Sequence, residues 1–285
     1  KVIDNNQTPI TKTDNLEEKN EENTNNIDFS ELASYNSTEQ YISFASKLFG
    51  VDIETCNKLL SDKVGNMEAY MNNYNDYDLK NLYELKSLGI INGDLDTMGI
   101  FVIIKEYANN NLKIYNEEPI ISNKTPKDKE KDLVNIAKYI YGIDNENLLS
   151  TIIAIHRLET GHDTSTYSVQ FNNMGGNMNP APSEDEINRF MKVTGIEVTE
   201  DTPIPNIYKT VEIGEESMIR NFLNVYKKCL HDEECLKEDN VIDFLSRKYC
   251  THTPKDWATT LHGMLQDESI LRDVNDYLNI NNKTI

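Results

Sequence analysis

The stretch LLSTIIAIHRLETGHDTSTYSVQFNNMGG, residues 148–176, decides how this chain is read. It opens as an apolar run at helical spacing that ends in a carboxylate and stops at Gly161. At about 100° per residue, Glu159 falls within about 40° of Leu148, Ile152 and Ile155, on the stripe that faces a core. A carboxyl at the end of such a stripe is partly desolvated. That favours its neutral form, raises its pKa and equips it to donate a proton near neutral pH. After Gly161 the character changes: HDTSTYSVQF is rich in hydroxyls, Asn172 and Asn173 bring side-chain amides, and Gly175 and Gly176 let backbone approach a ligand closely. The competing reading is a glutamate that bends into solvent at a frayed helix end, beside an ordinary Asn/Gly turn.

Working outward, nearly every segment of the C-terminal part reads as helix: Lys131 to Tyr141, Glu146 to Thr160, Glu184 to Val193, Glu215 to Leu230, Val241 to Tyr249, and Pro254 to Leu278 with a possible break. Ser183 with Glu186 has the spacing of a capping box, and Thr253 before Pro254 reads as an N-cap followed by proline at the first helical position. The exception is IEVTEDTPIPNIYKTVEI, residues 196–213, whose alternation and Thr/Val/Ile content predict a small β-ribbon. The fold class is therefore mainly α, a helical body with one short β excursion after the glutamate-bearing helix, which resembles the outline of a lysozyme-like α+β domain.

Upstream, NSTEQYISFASKLFG predicts a helix capped by Ser37 and Gln40 and stopped at Gly50, and a second helix follows from Asp52 through Leu60. NLYELKSLGIING and DLDTMGIFVIIKEYANN continue at helical spacing. FASKLFGVD (44–52) echoes IAKYIYGID (136–144) as a recurrent helix, glycine stop and Asp cap. The expected organisation is a flexible tether at 1–27, a small helical domain at 28–115, a linker at 116–130 within the linker-like stretch NEEPIISNKTPKDKEKD, and a second domain at 131–285.

With 48 acidic against 28 basic side chains the formal net charge is −20, which argues against sequence-independent binding to nucleic acid or an anionic membrane. The longest apolar run, GIFVII at 99–104, is too short to span a bilayer. The polar start of the chain has no hydrophobic signal core. It suits an exported chain whose signal or anchor has been removed, and a shortened cytosolic chain equally well. Cys229, Cys235 and Cys250 cluster with His231 and His252, and three readings stay open: unpaired cysteines with surface histidines, a Cys229–Cys235 disulfide, or a metal site, which fits least because the tight pairing of structural zinc sites is missing. No metal and no cofactor is expected.

LETGHDTS followed by NNMGG resembles the signature of the bacterial N-acetylglucosaminidase family, glycoside hydrolase family 73, whose domains are similar to lysozyme and lytic transglycosylases. IYKTVEIGEESMIRNFLNVYKK and RKYCTHTPKDWATTLHGML resemble its later blocks in the expected order, so the likeness spans about 130–270. The resemblance implies cleavage of peptidoglycan glycan strands, with Glu159 as general acid and Tyr249 as an active-site tyrosine. It places substrate contacts on Ser165, Asn172, Asn173 and the backbone of Gly175 and Gly176. It also implies a secreted or cell-envelope location, with a membrane tether N-terminal to residue 1 as one arrangement. Trp257, the single tryptophan, matches the family's last helix and reads first as a core anchor. A second carboxylate is not fixed: Glu197, Glu200, Asp201 and Glu212 compete, Glu212 is preferred, and a single glutamate suffices if the substrate's own acetamido group or hydroxyl takes the second role.

Overall fold

A computed structural model describes residues 27–73, 77–115, 118–237 and 241–282. The tether expected at 1–27 lies, apart from Ile27, outside the described residues. After a short 3-10 turn, Phe29–Ser34, the first half of the chain forms α1 (Thr38–Phe49), α2 (Ile53–Leu60), α3 (Met67–Asn73), α4 (Tyr77–Ser87) and α5 (Leu95–Tyr115). The local signals explain the starts and stops. Ser37 and Gln40 close a full capping box on α1, Gly50 ends it in the left-handed region at φ 65°, and Asp52 caps α2 through the Thr55 amide.

The second half forms α6 (Pro126–Asn135), a π-helical turn (Ile136–Ile140), α7 (Glu146–Thr160), α8 (Thr166–Phe171), α9 (Glu184–Thr194), α10 (Val211–Leu230), α11 (Glu233–Lys237), α12 (Val241–Tyr249), α13 (Pro254–Gln266) and α14 (Ser269–Asn282). Three local expectations need correction. The ribbon at 196–213 shrinks to the pair Ile204–Pro205, antiparallel to Met178–Asn179 just after the glycine loop; α10 already begins at Val211, capped by Thr210. The linker expected at 116–130 is shorter, because Thr125 and Asp128 form a capping box that starts α6 at Pro126. The second echo segment is capped by Asn145, whose side chain accepts from the amides of Asn147 and Leu148, and not by Asp144. Pro254 does open α13 at its first turn, but Thr253 makes no side-chain cap bond.

One apolar core runs from Phe29 through Phe101 and Ile104 of α5, Ile152 and Ile155 of α7, and Phe222 and Leu223 of α10, to Tyr277 of α14. The two segments expected as separate units thus share a core. α10 is the central element, packed against α4, α6, α12 and the π-helical turn, while α14 lies on α6 and α7. A smaller cluster of Phe171, Phe190, Ile204 and Ile207 sits under the β pair. Burying these side chains, at roughly 1.5–3 kcal/mol each, is what offsets the backbone entropy of so many short helices. Cys229 and Cys235 form a disulfide that ties the end of α10 to α11, which removes those two from any metal set, and Cys56 and Cys250 are free. No helix among the described residues is long and apolar enough to cross a membrane.

Candidate active site

Glu159 is the penultimate residue of α7, and the helix ends there because Gly161 turns left-handed at φ 56°. His162 and Asp163 continue in the left-handed region at φ 57° and 63°, a strained run for residues with side chains. A buried polar relay holds it. His156, fully buried on α7, bonds the Met174 carbonyl through Nδ1 at 2.9 Å and Asp163 through Nε2 at 3.2 Å, while Lys129 of α6 reaches the other Asp163 oxygen at 3.3 Å. Burial pushes the Asp163 carboxyl up, but His156 and Lys129 outweigh it and hold the group below the usual carboxylate range. Through His156 the helix end and the NNMGG loop are locked to each other. Sequence reasoning missed this histidine, although its place on the apolar stripe of α7, three residues before Glu159, was the signal.

α7 is also clamped from below. Arg157 forks onto Glu130 of α6 at 2.6 and 2.7 Å and reaches Asp273 of α14 at 2.6 Å, and the Tyr277 hydroxyl donates to the same Glu130 at 2.7 Å.

The Glu159 carboxyl has two differently placed oxygens. Oε1 accepts the indole N–H of Trp257 at 2.6 Å. Oε2 lies against Gly176: a Cβ built on that residue would fall 2.3 Å from it, and Gly176 also sits at φ 63°. Glycine is required there on both counts. No cation pairs with Glu159 among the described residues. Burial pushes its pKa above the ordinary value, opposed only in part by the Trp257 hydrogen bond. Trp257 stacks on Tyr249, with ring centroids 5.6 Å apart and planes inclined by 10°. The Tyr249 hydroxyl is buried beside Asn221 and Glu159, and it donates its proton to none of the described residues. Burial, and then the Glu159 charge, push the phenol well above its ordinary value.

Gly176 and Tyr249 line a cleft of about 480 Å³. Its lining is polar, with Asn177, Asn206 and Asn221 on one side and Lys105, Glu106 and Asn109 of α5 among the rest. Among and beneath them runs a charge network whose members are buried except for Glu106, which is 40% exposed. Lys105 pairs with Glu106 at 3.0 Å and with Glu216 at 2.8 Å, Arg220 pairs with Glu216 at 3.0 Å and also with Glu106, and the Tyr141 hydroxyl donates to Glu216. Although burial pushes Glu106 up, its two cations bring it down to about 2.

The remaining expected residues divide clearly. Asn172, 1% exposed, caps α8 in the left-handed region and spends its amide on the carbonyls of Ile120, Tyr208 and Lys209. Asn173, 0% exposed, donates to the carbonyls of Asn177 and Asn206 and accepts from the Asn177 amide. Both shape the loop from inside instead of facing a ligand, because each buried amide needs its own partners. Ser165 caps α8 through the Ser168 amide at 3.2 Å, and Gly175 is where the loop meets Met218 of α10, with room for no Cβ. Glu212 is bound to Lys124 at 2.6 Å, as is Asp132 at 2.6 Å, and it does not line the cleft. Glu197, Glu200 and Asp201 are likewise absent from the cleft lining, and Glu159 itself stands behind it, in contact with the lining residue Gly176 through Oε2. Trp257 is a core residue, as read first, and a hydrogen-bond donor to Glu159 as well.

No family model, curated protein or solved structure matches this chain.

Proposed function

We propose that this protein is a peptidoglycan hydrolase that cleaves the β-1,4 glycan backbone on the N-acetylglucosaminidase pattern, in a lysozyme-like helical body, with Glu159 as general acid. The observation that carries the reading is the state of Glu159: a partly buried carboxyl without a cationic partner, its pKa raised by burial, anchored at Oε1 by the Trp257 N–H and bordered at Oε2 by a glycine of the cleft lining. With Oε1 committed as acceptor, the proton belongs on Oε2, from which it passes to the glycosidic oxygen of the departing sugar. Tyr249 stacks on the anchoring indole and offers a hydroxyl beside the same carboxyl. An exported or envelope location, with peptidoglycan strands as the substrate, follows from that reaction.

The carboxylates bear on the second half of the mechanism. Glu212 is committed to Lys124, and Glu106, the carboxylate in the cleft lining, is held between Lys105 and Arg220. This favours a route without a second protein carboxylate, in which the acetamido oxygen or a hydroxyl of the sugar itself attacks the anomeric carbon. Products from digested sacculi distinguish the outcomes. Reducing N-acetylglucosamine ends are expected, 1,6-anhydromuramic ends would make the enzyme a lytic transglycosylase, and sacculi that are bound but never cut would leave only a cell-wall-binding module.

A further inference from the structure

Among the described residues, Asn109 Oδ1 on α5 is a buried acceptor of a cleft-lining residue that no hydrogen bond satisfies, and the Tyr249 hydroxyl at the end of α12, buried beside Asn221, donates its own proton to no residue. Most of the other polar lining is committed. Lys105, Glu106 and Arg220 bind one another, the Asn221 amide donates to Asn177 Oδ1 at 2.8 Å, and Asn224 Oδ1 accepts from Asn81 at 3.0 Å. A buried acceptor left without a donor is uncommon and unfavourable in a folded protein, so on a cleft wall it marks where a ligand's N–H fits. A buried hydroxyl on the same cleft offers the complementary donor. An acceptor and a donor are the two complements that the N–H and C=O of a secondary amide require. We propose that α5 forms a wall of the glycan groove and that Asn109 is a specificity-determining residue, its Oδ1 accepting the acetamido N–H of an N-acetylated sugar.

This assignment rests on the glycosidase reading above and extends it to the first half of the chain. On α5, Asn109 stands at i+4 from Lys105 and at i+3 from Glu106, so it neighbours both on the helix surface. The helices that the sequence set apart as an appended unit thereby complete the substrate site. Removal of one ligand hydrogen bond at such a wall weakens binding of the acetylated sugar about tenfold while leaving the acid intact.

The test uses the full chain and its single tryptophan, which touches both Glu159 and Tyr249 and reports on ligand in the cleft by its fluorescence. The probes are a β-1,4 tetramer of N-acetylglucosamine and the corresponding tetramer of glucosamine, titrated at high salt to screen the attraction of the cationic oligomer to an acidic protein. Wild type is expected to prefer the acetylated tetramer. Asn109→Ala should lose affinity for it about tenfold with no change for the glucosamine tetramer, and Asn109→Asp, which keeps an acceptor oxygen, should retain the preference. An Asn109→Ala variant with the full preference, or one that loses both oligomers equally with a lowered melting temperature, overturns the assignment. If wild type still digests sacculi in that case, the assignment alone falls; if wild type neither digests sacculi nor binds either tetramer, the glycosidase reading falls and takes the assignment with it.

Discussion

Replacing Gly176 by alanine places a methyl group 2.3 Å from Glu159 Oε2 and 3.2 Å from its Cδ. Relief to ordinary contact moves the carboxyl by about 1 Å, and a misplacement of that size at a reacting group costs on the order of 10²-fold in rate. The substitution also puts a side chain at φ 63°, a left-handed backbone that destabilises by roughly 1–2 kcal/mol. Gly195 separates the two effects: it has φ 70° at the end of α9, but nothing lies within 4 Å of its would-be Cβ. Both variants should lose stability in thermal unfolding, Gly176→Ala by the larger amount because it carries the clash as well as the backbone cost, while only Gly176→Ala loses the clearing of sacculus suspensions, by about 100-fold in kcat. Trp257 emission should shift in Gly176→Ala and stay at the wild-type position in Gly195→Ala. A Gly176→Ala enzyme with wild-type kcat would refute the placement of the working oxygen against this glycine.

Three further outcomes follow from the same contacts. Trp257→Phe removes the hydrogen bond that lowers the Glu159 pKa, so the alkaline limb of kcat/KM, where the acid loses its proton, should move to higher pH. For stability the sign runs the other way from an ordinary ion-paired carboxylate: because the folded pKa is raised, the contribution of Glu159 is fully present below the unfolded value and is lost as pH rises through the folded one. Glu159→Gln removes that loss, and its melting temperature should gain on wild type as pH increases; a constant difference across pH would contradict the raised pKa. Arg157→Met strands the buried Glu130 carboxylate and should destabilise the chain by about 3–5 kcal/mol in urea titration, with α14 loosened first by hydrogen exchange.

What the sequence disclosed and what it hid follow from how far apart the partners lie. The phase of Glu159 on the α7 stripe, the Gly161 stop and the boxes at Ser37 and Ser183 are local patterns, and each takes the form its spacing requires. PKDKEKD is the opposite case: it has the composition of a linker, yet Lys129, Glu130 and Asp132 are buried because Asp163, Arg157 and Lys124 meet them. Hydrophobic periodicity counts apolar residues and is blind to charges buried in pairs. The roles of Asn172 and Asn173 are hidden for a related reason, since composition cannot distinguish an amide facing a cleft from one spent on backbone carbonyls. The α5 wall of the cleft was illegible altogether, because it exists only once α5 and α10 pack and bring Lys105 and Glu106 to Glu216 and Arg220.

The most direct measurement is the rate of sacculus clearing by Glu159→Gln at pH 6–7, beside wild type of equal secondary structure. Glutamine keeps the shape and the acceptor for the Trp257 N–H but has no proton to give. The account predicts a loss of at least about 10²-fold in kcat with glycan binding retained, the range expected when general acid catalysis is removed. A Glu159→Gln protein that clears sacculi at the wild-type rate would contradict it.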